Sequence, residues 1–263
     1  MIENKLNSLK RRLEYHYKEF DSTQIYADPI IFPRKYNNES DIEISAFISS
    51  IFAYGNVSQI NNSLEKLHNL IGNSPTDFFF NFNVKQHNKF FNSFKHRFYT
   101  GEDVNKLFLI IKYILNEYES IKHLFLLYYF DQDKNIKNTL SFFSKNLIEI
   151  SERISPTSKS VKFMFPDPFS GSACKRMNLF LRWMVRKDDI DFGIWNAVNK
   201  KQLVIPVDTH IAKLSKNLGL TNHKNVSWQM AEEITENLKK FDQNDPVKYD
   251  FAICHIGMRK LDF

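Results

Sequence analysis

Apolar positions recur along this chain with helical spacing far more often than with the alternation of strands. Leu6, Leu9, Leu13 and Tyr17 fall on one face of a first helix, and Lys10, Arg11 and Arg12 occupy the rest. Pro29 and Pro33 predict an extended connector over 26–36, because proline lacks an amide donor and fixes its own φ. Ser40 and Glu43 are spaced as a capping box, predicting a helix that turns Ile44, Phe47, Ile48 and Ile51 inward. Ala53-Tyr54-Gly55-Asn56-Val57 breaks the period before a helix bearing Ile60, Leu64, Leu67 and Ile71. Ser74-Pro75 opens another helix, and helical periods return across 85–96, 103–118 and 135–150. Further on, helices are predicted over 172–186, 208–218 (ended by Gly219) and 227–241, with a last one opened by Asp245-Pro246. Only 161–165 and 203–207 look strand-like, and each is too short and isolated to build a sheet. The pattern predicts an all-α fold.

Composition narrows this picture. With 263 residues, 43% hydrophobic positions and 25 phenylalanines, the chain can bury one large core or two smaller lobes. Seven glycines are too few for a turn-dense β sandwich or a dinucleotide-binding sheet. A net charge of +6 suits an anionic partner such as nucleic acid. Cys174 and Cys254 are the only cysteines, which argues against a disulfide scaffold and leaves too few thiolates for a four-cysteine iron–sulfur cluster. No apolar run suits a signal segment or a membrane span, so a cytoplasmic location is expected. The adjacent Cys254 and His255 lack zinc-ligand spacing, and no metal site is predicted.

The strongest chemical signal is the stretch Phe169-Ser-Gly171-Ser172-Ala173-Cys-Lys175-Arg176, followed downstream by Val207-Asp208-Thr-His210. Small residues at 170–173 let the backbone turn tightly, and the helix that follows adds partial positive charge at its start. Such a turn is a seat for a phosphate, with Lys175 and Arg176 beside it. A lysine amine can form a Schiff base with a sugar carbon, and an aspartate nearby steadies positive charge developing on the sugar. The plainer reading makes Lys175 a phosphate contact and Asp208 a helix cap. Trp183 is a base-pocket candidate against a core reading, and the Phe78–Phe80 cluster reads as core.

The turn, the lysine and the Val-Asp-Thr-His element together resemble the core of the helix-hairpin-helix DNA glycosylase superfamily, which includes endonuclease III and the 8-oxoguanine glycosylases. In that superfamily a Gly-x-Gly turn leads into a helix bearing the catalytic lysine, and the aspartate starts a later helix. The run Lys175-Arg-Met-Asn-Leu-Phe180-Leu-Arg182 is similar to the lysine helix of the small archaeal 8-oxoguanine glycosylases, and the arrangement resembles an uncharacterised bacterial branch. Two departures stand out. The second turn glycine is Ala173, and 33 residues (208 minus 175) separate lysine from aspartate, longer than in endonuclease III. The extra length lies between Arg186 and Lys201 and reads as an inserted helix or loop.

The resemblance implies a two-lobed fold, with an N-terminal helical lobe over 1–160 and the catalytic lobe over 161–263. It implies a monomeric, nucleoid-associated enzyme that excises a damaged base from duplex DNA and cleaves the strand through Lys175, with Asp208 steadying the transition state. Gly171, Ser172, Ala173 and Arg176 would contact phosphate, and Tyr54 and Asn56 would probe the gap left by a flipped base. Lys248, Tyr249 and Asp250 join Trp183 as the implied base pocket. No cofactor is implied beyond a structural monovalent cation at the hairpin turn. The alternatives are a DNA- or RNA-binding protein that keeps the fold without turnover, and an interaction protein whose basic surface is incidental.

Overall fold

Side-chain caps set most helix starts in the computed structural model, which describes residues 2–259. The chain divides into two compact units. The first comprises Met1–Tyr26, Asp131–Ile136 and Pro168–Phe263, and the second Ala27–Phe130 and Lys137–Asp167. This division differs from a single boundary near 160, because the first helix and a short middle segment group with the C-terminal part. Gln202 accounts for the middle segment: its side-chain amide donates to the carbonyls of Asp131 (3.2 Å) and Asp133 (2.6 Å), and its own carbonyl accepts from the Ile136 amide.

The second unit contains α2 (Glu39–Phe52), α3 (Val57–Ile71), α4 (Pro75–Phe80), α5 (Val84–Ser93), a two-stranded antiparallel hairpin of β1 (Lys95–His96) and β2 (Tyr99–Thr100), α6 (Gly101–Tyr118), α7 (Ile121–Leu126), α8 (Lys137–Ile154) and α9 (Lys159–Met164). Helix α6 is central, packed against α4, α5, α7 and α8. Its buried Phe108 lies 5.0 Å from Phe79, 5.5 Å from Phe82 and 5.6 Å from Phe91, ring centre to ring centre. The phenylalanine cluster is therefore core, apart from the exposed Phe80.

Several local expectations change here. Residues 22–35 form three short 3-10 turns in place of an extended connector, because Asp28 accepts from the Ile30 amide and each proline sits where its missing donor is not needed. Helix α2 is capped by Asn38, which accepts from the Asp41 amide, so Ser40 and Glu43 form no capping box. Glu43 instead reaches the start of α7, accepting from the amides of Ile121 (2.8 Å) and Lys122 (3.1 Å). The strand-like 161–165 is helical as far as Met164, since Ser158 caps α9 by accepting from the Val161 amide and overrides the local strand preference. The end of the helical period over 85–96 falls in the hairpin.

The first unit contains α1 (Ile2–Glu19), α10 (Lys175–Val185), α11 (Thr209–Asn217), α12 (Trp228–Lys239) and α13 (Asp250–Arg259). Trp183, Trp195, Trp228 and Tyr249 are fully buried in it. Residues 203–207 form no strand, and the Ile205 amide donates to the Thr235 hydroxyl on α12. The last helix begins at Asp250, five residues after the expected start. Asp245 does not cap it, because its carboxylate is bound by Arg186 at 2.8 Å.

Candidate active site

Three helix starts in the first unit carry the candidate chemistry. Lys175 is the first residue of α10, Asp208 caps α11, and Asp250 is the first residue of α13. Gly171, at φ 87°, and Cys174, in the left-handed region at φ 48°, break the helix and delay its start to Lys175. Most helices here begin at a capping Ser, Thr, Asn or Asp, but Cys174 provides no side-chain cap to α10. Ser172 covers one amide of the turn, accepting from the Cys174 N–H at 3.2 Å. The turn is tied to α12 through its Gly171 carbonyl, which accepts from the Trp228 amide, and to α10 through its Ala173 carbonyl, which accepts from the Asn178 side chain.

Asp208 binds the amides of His210 (2.8 Å) and Ile211 (2.9 Å) through Oδ1 alone. Among the described residues its Oδ2 makes no hydrogen bond, and the side chain stays partly exposed. The cap thus occupies one oxygen of the carboxylate and leaves the other over. Lys175 is also partly exposed, whereas Arg176 is buried rather than projecting as a phosphate contact would.

Asp250 connects the other two. Burial pushes its carboxyl up to about 6, Arg182 pulls it down, Asp208 raises it further and Lys175 lowers it. Arg182 joins α10 to Asp250, and α13 packs against α11, so the three helices that carry these side chains meet within the first unit. Helix α13 also closes on the start of α11. A Cβ added to Gly257 would lie 3.2 Å from the Cβ of His210, and Gly257 follows Asp250 by two helical turns.

Behind this region lies a buried ion network. Arg182, two turns along α10 from Lys175, bridges Asp250 and Asp191, the latter at 3.1 Å. Arg186 binds Asp191, Asp188 (2.9 Å) and Asp245 (2.8 Å). Burial opposes the Arg186 charge, but Asp191, Asp245 and Asp188 outweigh it and hold the guanidinium above its ordinary value. The long connection after α10 is therefore an anchored loop rather than a helix. It carries one isolated bridge, Lys187 with Phe192, and a 3-10 turn at Lys200–Gln202. Asp191 was not singled out in the sequence, and Arg182 appeared only within the lysine-helix run. Their signal is the charge-dense run Arg182 to Asp191, set in an otherwise apolar helix end.

The remaining candidates are placed apart from this trio in role. Trp183 is core. Lys248 binds Glu14 (2.8 Å) and Asp242 (3.0 Å), and Tyr249 donates its hydroxyl hydrogen to Glu14, so both fasten α1. In the second unit Asn56 caps α3, accepting from the amides of Ser58 and Gln59, rather than projecting toward a flipped-base gap. Tyr54 packs against His96, Phe98, Tyr99 and Phe163, each ring centre within 5.5 Å. Among the described residues no group of three or more His, Cys, Asp or Glu side chains is placed to hold a metal, and no helix is long and apolar enough to cross a membrane.

Comparison with known proteins adds one assignment. No curated protein and no solved structure matches the chain. A family model matches residues 28–259, which spans nearly all of the region just described. The chain belongs to the family described as protein of unknown function (DUF2400).

Proposed function

We propose that this protein is a DNA base-excision enzyme of the glycosylase and abasic-lyase type. What supports the reading is the packing of α11, which Asp208 caps, against α13, whose Asp250 is bound by Arg182 of the Lys175 helix. A base turned out of the duplex exposes its sugar carbon to the Lys175 amine. As the bond to the base lengthens, positive charge grows on the sugar, and Oδ2 of Asp208 is the oxygen left to steady it. The lysine nitrogen then bonds to the anomeric carbon, the base leaves with its electron pair, and the ring-opened Schiff base loses a proton and expels the 3′ phosphate. A fixed electrostatic partner of this kind typically contributes on the order of 10²–10³ in rate.

Duplexes each carrying one altered base, scored for base release and for strand cleavage, test the reading. Asp208→Asn is expected to retain duplex affinity while base release slows on the preferred lesion. Lys175→Gln is expected to abolish strand cleavage. If the wild type binds duplex yet releases no base from any lesion, the fold serves binding without turnover.

A further inference from the structure

The second unit carries an exposed aromatic patch around Tyr54, in a different unit from Lys175 and Asp208. Phe98 at the hairpin tip is 45% exposed and Phe163 on α9 is 44% exposed, with ring centres 5.0 Å apart. Tyr54 lies 5.5 Å from each of them and forms the floor. Large apolar rings held together at a surface usually mark a contact. The hairpin is fixed rather than loose: His96 is hydrogen-bonded to the Ser63 hydroxyl at 2.8 Å, and the Phe98 carbonyl accepts from Ser160 at 3.3 Å. Arg97, in the left-handed region at φ 54°, sets its guanidinium 5.2 Å from the Tyr54 ring. Gly55 leaves it room, since a Cβ there would lie 2.5 Å from an Arg97 nitrogen.

Charge indicates what covers the rings. The segments 91–101 and 153–166 contain no Asp or Glu, while Lys95, Arg97, Lys159 and Lys162 are exposed around the patch. Exposed aromatic rings bordered by cations are the pattern that stacks unpaired bases while holding the backbone between them. Carboxylates flank the two segments at Glu102, Asp103, Glu152 and Asp167, but Asp103 is buried and accepts from Ser158, and Glu152 accepts from the Thr157 amide, so the charge exposed on the segments themselves is positive.

We propose that Phe98 and Phe163, over Tyr54 and bordered by Arg97, form a stacking platform for unpaired bases of a DNA strand. The choice of DNA rests on the excision reading, but the platform is a separate site with its own test. The three native tryptophans are fully buried, so Phe98→Trp adds an exposed emitter at the patch.

The experiment titrates a twelve-residue thymidine oligonucleotide into the full-length protein. Expected are quenching of the Phe98→Trp emission and roughly tenfold weaker binding by Phe98→Ala and by Phe163→Ala, within the range that base–aromatic stacking supplies. Phe80→Ala, which removes an equally exposed ring elsewhere in the unit, should bind as the wild type does. Arg97→Gln should lower the slope of affinity against salt by about 0.7. Normal binding by both alanine variants overturns the proposal, as does binding without quenching. A changed oligomeric state in Phe98→Ala, with DNA affinity intact, overturns it in favour of a protein contact. If the wild type binds no DNA, single-stranded or duplex, the platform and the excision reading fail together. Platform binding that behaves as expected, in a protein that never releases a base, leaves only the excision reading refuted.

Discussion

In the second unit buried phenylalanine rings pack edge to face around α6, whereas the first unit buries Arg182, Arg186, Asp191 and Asp250 beside its tryptophans. Rings pack through contacts that tolerate small rotations and shifts. Paired guanidinium and carboxylate groups are directional, and they fix both partners in angle as well as distance. The directional network lies where α10, the following loop and α13 must be held relative to one another. The tolerant packing lies where a compact helical body suffices. A site that needs helix starts in register gains more from fixed geometry than from net stability, because buried ion pairs add little stability overall.

The largest effect expected from breaking this contrast is at Arg182. Replacing it with alanine leaves Asp191 and Asp250 buried without their bridge and should cost about 3–5 kcal/mol. Phe108→Ala in the other unit should cost a similar amount, about 3–5 kcal/mol, through a cavity. Urea unfolding measures both. The two should part in site geometry: Arg182→Lys keeps the charge but loses the fork, and should impair strand cleavage beyond its loss of stability. A loss below about 1 kcal/mol in Arg182→Ala would refute the network's structural role.

Acid sharpens the comparison in the opposite direction. Burial lowers His68 to about 4, and burial with the nearby Arg97 lowers His96 to about 4. The unfolded chain takes up these protons first, so the stability that both histidines support is complete above pH 6.5 and is lost as pH falls toward 4. Asp250 has the reverse sign. Its raised value means that the folded state holds the proton more tightly, so its contribution grows as pH falls through 6. Hydrogen exchange at pH 7 and pH 5 should therefore show protection falling in α3 and the hairpin more than in α13. His68→Gln with His96→Gln should flatten that dependence. Equal loss in both units would contradict the assignment.

The helices of both units were legible in the sequence because apolar periodicity and the Ser, Asn and Asp caps are local signals. Lys175 and Asp208 were legible as candidates for the same reason, one following a small-residue turn and the other opening a helix. The interleaving of the units was not legible, because it depends on Gln202 binding carbonyls some seventy residues earlier. Nor was the cause of the anchored loop, since Asp191 becomes meaningful only once Arg182 and Arg186 both point at it. Glu43 misled for a related reason: its spacing fits a local cap, and its carboxylate serves a distant helix.

A smaller effect is expected at the turn. Gly171 has open space around its Cβ direction, so substitution there strains the backbone alone. Gly171→Val should cost on the order of 1–2 kcal/mol, and Gly171→Asn less, because asparagine tolerates positive φ. Duplex affinity should weaken alike for all sequences in Gly171→Val, since a turn at phosphate carries no base information. Unchanged affinity in the folded variant would remove the turn from the DNA contact.

Borohydride trapping on a duplex with a single abasic site tests the central claim most directly, because reduction fixes a Schiff base at the residue that formed it. The expected result is a covalent complex whose cross-linked peptide maps to Lys175, absent in Lys175→Gln although that variant still binds the duplex. A cross-link at another lysine, or trapping undiminished in Lys175→Gln, would contradict it.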